Sequence, residues 1–119
     1  MKYIKAGEGT WITGNGYHKN IVLLGDDLHA EGAMVQFVRI EPHTEVAAHY
    51  HKKMTEVFHI LEGRGIMVIS GQTFNLAPGD TLTCEPTEVH SARNDFDQVF
   101  RYVVFKTNAE DGDSYWLEA

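Results

Sequence analysis

Five of the seven histidines in this sequence fall between positions 43 and 90, and their spacing suggests metal chemistry. His49 and His51 are two residues apart, so on a β-strand their imidazoles share one face about 6.6 Å apart, close enough to hold one ion. Glu56 has the wrong parity to join them on a straight strand, but the polar residues 52–55 predict a chain reversal that brings it back on the neighbouring strand. His90 begins a later strand and could complete the site. Three imidazoles and one carboxylate are a plausible ligand set for a transition metal, although any one of these histidines alone is more often a surface or hydrogen-bonded strand residue.

Two further polar residues lie on strand faces that are otherwise apolar. Gln36 alternates with apolar residues between positions 34 and 40. An inward-facing amide there would need a hydrogen-bond partner, such as a ligand. Tyr102 alternates with apolar residues between positions 100 and 104 in the same way. We therefore consider both side chains as candidates to orient a substrate.

Three other residues have interpretations that involve neither a metal nor a substrate. His43 shares the parity of the histidine pair, but the intervening strand would separate it from His49 by about 20 Å, so we expect it in a loop. His59 is predicted to point outward as a packed or interface residue. Cys84 is expected to be a small buried hydrophobe rather than a reactive thiolate. The sequence leaves the roles of these three residues open.

The candidate residues must be positioned by β-strands, because no stretch long enough for a stable helix shows helical spacing of its apolar residues. Short β-branched and aromatic runs recur instead, separated by Gly, Pro, Asn and Asp. The predicted strands are Ile21–Leu24, Met34–Ile40, Ala47–His51, Val57–Leu61, Ile66–Ile69, Thr73–Leu76, Thr81–Cys84, His90–Asn94 and Val99–Lys106. Turns at steady intervals join them, so the predicted fold class is all-β, a sandwich or barrel.

Composition limits the class of protein. The chain has 119 residues, enough for one domain over positions 1–119 with a sizeable core. Ten Lys+Arg against seventeen Asp+Glu give a net charge of −7, the wrong sign for a nucleic-acid partner. No apolar run approaches the roughly 20 residues of a membrane span, so we expect no membrane partner. A single cysteine and the lack of a signal-peptide pattern predict a cytoplasmic location.

The histidine spacing, taken with the turns that follow it, resembles the two motifs of the cupin superfamily. The first motif is His49-Tyr50-His51, then Glu56, then Gly63; the second is Gly79-Asp80, Pro86, His90 and Asn94. Together the motifs span residues 43–94. Two positions depart from the pattern: His43 stands where the first motif opens with glycine, and Pro86 sits one place late. The resemblance implies a single small cupin β-barrel, an antiparallel jelly-roll-like sandwich.

By resemblance, His49, His51, Glu56 and His90 bind one divalent metal ion. Iron, manganese, nickel, copper and zinc all accept this ligand set, so the sequence does not choose among them. A six-coordinate ion would keep two positions for water or a ligand. Asn94 also matches the family motif, and its spacing favours support of the His90 strand or of the metal surroundings over contact with the ion.

Cupins with these ligands include enzymes of several classes, so two functions stay open. The first is a metal-dependent enzyme acting on a small carboxylate, dicarbonyl compound or sugar derivative, by dioxygenase- or isomerase/lyase-type chemistry. The second is a stand-alone module that binds a small molecule, such as a sugar, without catalysis. A structural or storage role is a third and poorer match to an intact ligand set.

A homodimer is expected, because the strand Val57–Leu61 is apolar on both faces and a barrel wall needs only its inner face apolar. The acidic tail over about residues 108–119 contains apolar residues at 115–117. We expect these residues to dock on the protein surface or to cross to the neighbouring chain.

Overall fold

The computed structural model describes residues 1–117. The strands are β1 (Ile12–Thr13), β2 (His18–Leu23), β3 (Met34–Ile40), β4 (Thr44–Tyr50), β5 (Thr55–Glu62), β6 (Gly65–Ile69), β7 (Gln72–Leu76), β8 (Thr81–Cys84), β9 (His90–Asn94), β10 (Phe100–Thr107) and β11 (Tyr115–Trp116). One helical turn, α1 (Gly25–Leu28), follows β2 and is the only helix of the described residues. The all-β prediction is confirmed, and the nine predicted strands correspond to β2 through β10.

The strands form two antiparallel sheets that pack face to face. The six-stranded sheet has the order β1-β2-β3-β10-β5-β8, and the five-stranded sheet has the order β11-β4-β9-β6-β7. No strand pairing joins an edge of one sheet to the other among the described residues, so the arrangement is a jelly-roll-like sandwich rather than a closed barrel. The sandwich form of the sequence prediction is therefore the one that the structure adopts.

The core fills the space between the sheets, because alternate residues of each strand face inward. Ile40, Ile60 and Phe100 are almost completely buried at its centre. A second, polar set of buried side chains lies toward one end of the sandwich and includes His51, Glu56 and His90. The inner faces are thus apolar over most of their length and polar where the predicted metal ligands lie.

Gly63 shows why the first motif ends in glycine. Its backbone has a φ of +75°, and a Cβ added there would lie 2.1 Å from the carbonyl oxygen of Val99. Any side chain would therefore push apart the turn between β5 and β6 and the start of β10.

No helix of the described residues is long and apolar enough to cross a membrane.

Candidate metal centre

Three histidines meet at the polar end of the sandwich. The candidate ligand atoms of His49, His51 and His90 all lie within 4.8 Å of one another. His49 near the end of β4 is paired in register with His90 at the start of β9. His51 follows directly after β4, before the chain turns into β5. Adjacent strands of one sheet and the loop beyond them therefore bring together residues separated by about 40 positions.

A β-bulge in β4 turns His49 toward the interior. Val46 is paired with Ala92 and His49 with His90. Between these two pairs β4 advances by three residues and β9 by two, so β4 contains one extra residue. Val46 belongs to the buried core. On a regular strand a residue three positions further on would face the opposite side, but the extra residue of a bulge restores the inward direction.

Each of the three imidazole rings is anchored through its Nδ1 atom to a backbone carbonyl. A carbonyl oxygen only accepts, so each Nδ1 carries the proton and each Nε2 is left with its lone pair. The anchoring bonds are His49 to Ala47 at 2.9 Å, His51 to Asp113 at 2.7 Å and His90 to Glu88 at 3.1 Å. Such contacts fix both the tautomer and the orientation of metal-binding histidines.

Glu56 supplies a buried carboxylate to the same point. Its Oε1 atom lies 2.9 Å from Nε2 of His51 and 3.2 Å from Nε2 of His90. This oxygen nevertheless accepts no hydrogen bond of acceptable geometry. When Nδ1 carries the only proton of each ring, the carboxylate oxygen faces two lone-pair nitrogens, and a metal cation or an added proton between the groups relieves the repulsion. The donor set therefore fits a divalent transition metal.

The electrostatics of the cluster agree with a cation at this position. Burial and the nearby His90 lower the pKa of His49 to about 4, so its ring is neutral at physiological pH. Burial also lowers the pKa of His51, but contact with Glu56 outweighs it and the pKa is raised. Burial raises the pKa of Glu56, yet its contacts with His51 and His90 outweigh that effect and the pKa is lowered. The Glu56 carboxylate is therefore ionised, and its negative charge favours a cation beside the imidazoles.

The segment around Asp113 supports His51 from a distant part of the chain, and the sequence analysis did not single it out. Its backbone oxygen accepts the proton of His51. Its carboxylate accepts hydrogen bonds from the backbone N–H groups of Lys52, Lys53 and Met54, at 2.9, 3.0 and 3.2 Å. One aspartate thus holds both the ring of His51 and the turn that leads to Glu56. The only hint in the sequence was the placement of an acidic segment before aromatic residues.

Trp116 forms part of the cluster from the same segment. Its ring stacks on His49, with centroids 4.2 Å apart and planes inclined by 28°. Strand β11 carries it there by pairing with β4, Trp116 opposite His49. Tyr115 and Trp116 therefore dock on β4 of their own chain, the first of the two positions expected for the apolar residues of the tail. The last two residues, 118–119, lie outside the described part of the chain.

Cys84 lies behind His90. Its Sγ atom is 3.2 Å from Nδ1 of His90, and the side chain is buried. Burial, with the charge of Glu56 and other acids nearby, raises the pKa of the thiol to about 12. The residue is therefore a packed thiol, as the sequence predicts.

The histidine cluster opens into a pocket of about 120 Å³ between the two sheets. Gln36 and Tyr102 line it, so both side chains lie where a ligand in this pocket would contact them. Lys19 and Lys106 also line it, and the sequence analysis did not single them out. The alternation of β10 would have indicated Lys106, because it shares the inward parity of Tyr102.

Comparison with known proteins identifies the family. The family model of the cupin domain matches residues 36–106. The chain belongs to the cupin family. This result confirms the resemblance that the two motifs indicate.

The proteins similar to this chain carry the names of different kinds of enzyme. The cupin chain is 32% identical over 94 residues to a quercetin 2,3-dioxygenase of Bacillus subtilis (strain 168), an alignment that covers 77% of this chain and 27% of that protein. The chain thus spans about a quarter of that relative's length. The polyketide cyclase RemF from Streptomyces resistomycificus superimposes with a TM-score of 0.84 at 17% identity, covering 100% of this chain and 87% of that one. A predicted oxalate decarboxylase from Thermotoga maritima gives 0.81 at 18% identity, covering 89% and 98%. At these identities the structural matches show the fold.

One motif residue of this cupin lies away from the pocket. Asn94 is completely buried, and its amide donates to the carbonyl oxygens of Ile40 and Gln98 while accepting from the N–H of Phe96. These bonds hold the turn between β9 and β10. Asn94 is not among the residues that line the pocket; its bonds support the end of the His90 strand, which is one of the two roles that its spacing favours.

The two remaining histidines of the motif region face outward. His43 occupies the motif's opening position with a φ of +56°, which explains why glycine is usual there. It lies in a turn, as predicted, and its ring contacts Asp97. His59 is exposed on β5 and bonds to the hydroxyl of Thr81.

Proposed function

We propose that this cupin is a metal-dependent enzyme acting on a small oxygenated compound, by dioxygenase- or isomerase/lyase-type chemistry. In this proposal His49, His51, Glu56 and His90 bind one divalent transition-metal ion. The observation that carries the proposal is the buried Oε1 atom of Glu56, which lies against two lone-pair nitrogens and accepts no hydrogen bond. Because this point opens into the pocket, a small molecule can reach it.

The residues of the chain have separable roles in this mechanism. When bound, the ion supplies Lewis acidity toward substrate oxygens, and a redox-active ion also supplies dioxygen chemistry. The anchored histidines keep their protons on Nδ1 and so leave their Nε2 atoms to the ion. Glu56 neutralises one of the two charges, which leaves a site of net charge +1 suited to an oxygen anion. Gln36 and Tyr102 line the pocket and orient the substrate.

The size of the pocket supports a small substrate. A cavity of 120 Å³ is somewhat smaller than an engineered cavity of about 150 Å³ that holds benzene. We infer a substrate of about six heavy atoms, with any larger part outside the mouth. The three-ring quercetin of the Bacillus relative's name would not fit inside. Carboxylates, dicarbonyl compounds and sugar fragments are of suitable size.

A stand-alone binding module is the second candidate. Among the described lining residues, Glu56 is the only carboxylate and every histidine belongs to the cluster. If all four bind the ion, general acid and base catalysis falls to tyrosine or lysine, whose ordinary pKa values lie far from neutrality. That shortage is the observation that favours binding without turnover.

Metal analysis tests the proposed site. Protein purified without chelator or affinity tag should contain about one transition-metal ion per chain by elemental analysis. The double variant His49→Ala, His51→Ala should contain none. His59→Ala is the matched control, because His59 is exposed and outside the cluster, and it should keep the full content. Absence of metal from the natural protein, or its retention by the double variant, contradicts the proposal.

Turnover then separates the two functions. The protein should be loaded in turn with iron, manganese, nickel, copper and zinc and offered small carboxylates, dicarbonyls and sugar derivatives. Product formation or oxygen consumption that the double histidine variant lacks supports the enzyme. Saturable binding without turnover in every metal form supports the binding module.

We also propose a homodimer formed through the outer face of the six-stranded sheet. Val57, Phe105 and Val35 are cross-strand partners in one row of that face, and Phe105 is 40% exposed. Sedimentation should give about twice 13.4 kDa for the natural protein and a lower mass for Phe105→Glu. Phe96→Glu, which changes an exposed phenylalanine outside that sheet, should leave the dimer intact. A mass near 13.4 kDa for the natural protein at micromolar concentration would exclude this dimer.

A cytoplasmic location is part of the proposal. Its support is the single free, buried thiol of Cys84, which suits a reducing compartment. Fractionation of the source cells should recover the protein with cytoplasmic markers. Recovery with secreted proteins would contradict it.

A further inference from the structure

Two lysines and a glutamine lie on the pocket wall formed by the six-stranded sheet. Lys106 follows Tyr102 and Val104 on the inward face of β10, and Lys19 enters the same pocket from β2. Gln36 reaches it from β3, which lies between those two strands. None of the three is a motif residue, and none is needed to hold the ion.

Neither lysine forms an ion pair within the described part of the chain, although Glu56 lies opposite Lys106 on the neighbouring strand β5. The lysine ion pairs in the described part of the chain are Lys2 with Asp27 and Lys53 with Glu110, so neither pocket lysine has a carboxylate oxygen within 4.0 Å. Burial lowers the pKa of Lys106, the more distant charge of Glu56 opposes that effect, and Lys19 lowers the pKa further. Two ammonium groups thus face one small pocket in a chain whose net charge is −7. An anionic ligand would offset the repulsion between them.

Gln36 adds a group that requires a hydrogen-bond donor. Its side chain is only 5% exposed, and its Oε1 atom has no partner. An unsatisfied buried acceptor is destabilising, so natural proteins rarely keep one without a reason. A ligand hydroxyl in the pocket would satisfy it.

We propose that Lys19, Lys106 and Gln36 form a subsite for a small hydroxycarboxylate, with the carboxylate at the lysines and a hydroxyl at the glutamine. The inference rests on the proposed function in that it names the substrate class of the same pocket. Size favours a carboxylate over a phosphate ester. A pocket for about six heavy atoms would be nearly filled by the five atoms of a phosphate group, whereas a carboxylate leaves room for an oxygen-bearing remainder.

Calorimetric titration with lactate and its neutral amide, lactamide, tests the subsite. The two probes have the same number of heavy atoms and differ in charge. Zinc-loaded protein is suitable because zinc has no redox chemistry that would consume the probe. The natural protein should bind lactate at least about 10-fold more tightly than lactamide, since a charge-assisted hydrogen bond is lost with the amide.

Lysine variants test whether the preference for lactate over lactamide depends on the two pocket lysines. Lys106→Met and Lys19→Met keep most of the side-chain volume, and each should weaken lactate binding about 10-fold or more while leaving lactamide unchanged. Lys5→Met is the control, because Lys5 is exposed and does not line the pocket. Equal affinities for the two probes in the natural protein, or unchanged lactate binding in both pocket variants, would overturn the subsite.

Repeating the titration without metal separates the two proposals. A lysine-dependent preference for lactate that persists in metal-free protein supports the subsite even if the metal site fails. Lactate binding that requires zinc and ignores both lysines overturns the subsite while the metal site stands. Zinc content, measured in every variant, should equal that of the natural protein.

Gln36→Met distinguishes a ligand-binding role from a structural one. The variant removes the unpartnered oxygen at similar volume, so the ligand-free protein should unfold at a temperature no lower than the natural protein. Its affinity for lactate should fall several-fold. A lower unfolding temperature with unchanged lactate affinity would show that Gln36 is structural and remove it from the subsite.

Discussion

The two walls of the pocket differ in how their polar groups are satisfied. On the side of the five-stranded sheet, every imidazole of the cluster is bonded to a backbone carbonyl behind it. On the side of the six-stranded sheet, the Oε1 atoms of Gln36 and Glu56 are buried without a hydrogen bond. The first wall is organised before anything binds, and the second is left incomplete.

This difference separates positioning from recognition. Anchored rings lose little freedom when an ion binds, so their lone pairs stay aimed at one point. Unpartnered groups gain their missing contacts only from something that enters the pocket. Glu56 belongs to the incomplete wall and faces the anchored histidines of the other wall. An ion bound at this point would therefore contact both walls.

The largest expected effect comes from changing that shared residue. Glu56→Gln should lower metal affinity more than about 100-fold, since Glu56 is the only anionic ligand in the proposed site. The metal-free protein should not lose stability, because the new amide can donate to a lone-pair nitrogen of His51 or His90. Metal titration and thermal unfolding check the two parts. Glu45→Gln, at an exposed position, is the control for both; a metal affinity equal to that of the natural protein would show that Glu56 is no ligand.

Asp113→Ala should disturb the organised wall from behind. The loss of three backbone hydrogen bonds to a carboxylate should lower the free energy of unfolding by about 2–3 kcal/mol. Metal affinity should fall about 10-fold, because the carbonyl that orients His51 is no longer held in place. Asp111→Ala, in the exposed part of the same segment, should change neither. Normal metal affinity in the Asp113 variant would show that His51 needs no such support.

The pH dependence of Asp113 follows from the same hydrogen bonds. Burial raises the pKa of its carboxyl, but the N–H groups of Lys52, Lys53 and Met54 outweigh that and hold the pKa below its ordinary 3.8. A lowered folded-state pKa means that the stabilisation is complete above the unfolded value and is lost as the pH falls through the folded one. The stability difference between the natural protein and Asp113→Asn should therefore be constant from neutral pH down to about 4 and shrink below it. Acid-dependent chemical unfolding measures this; a difference that shrinks already near neutrality would contradict the assignment.

A smaller effect is expected at Trp116, the aromatic cover of the organised wall. Zinc binding should change the fluorescence of Trp11→Phe, whose remaining tryptophan stacks on His49. Trp116→Phe should show little change, because Trp11 lies against Arg39, and neither of these two residues lines the pocket. Trp116→Ala should weaken metal binding by about two- to fivefold through a less ordered His49. An equal response from both phenylalanine variants would argue against the stacking.

The smallest effect is expected at Cys84. With its pKa raised to about 12, the thiol carries almost no thiolate at neutral pH and should react very slowly with a thiol reagent in the folded protein. The denatured protein should react fully under the same conditions. Rapid labelling of the folded protein would mean that the region between Cys84 and His90 opens to solvent.

The sequence by itself determined the positions of most strands, the family and the set of residues available for a metal. Alternation of apolar residues and the turn residues between strands are local signals, so β3, β8 and β9 were predicted with the bounds that the structure has. The two motifs are also local, and their spacing selected the residues that the structure brings together.

Only the tertiary structure decided how those residues face one another. The alternation of inward and outward side chains is interrupted at the bulge before His49, and no local sequence pattern indicates the extra residue of that bulge. The carbonyl of Asp113 reaches His51 from 62 positions away, and Trp116 reaches His49 through a two-residue strand too short to predict. Asn94 matched a motif yet holds a turn, because its environment is set by strands packed around it rather than by its neighbours in sequence. Side-chain parity follows from the chain's own geometry, but contacts between distant segments depend on how the sheets stack, and that is settled only when the whole core packs.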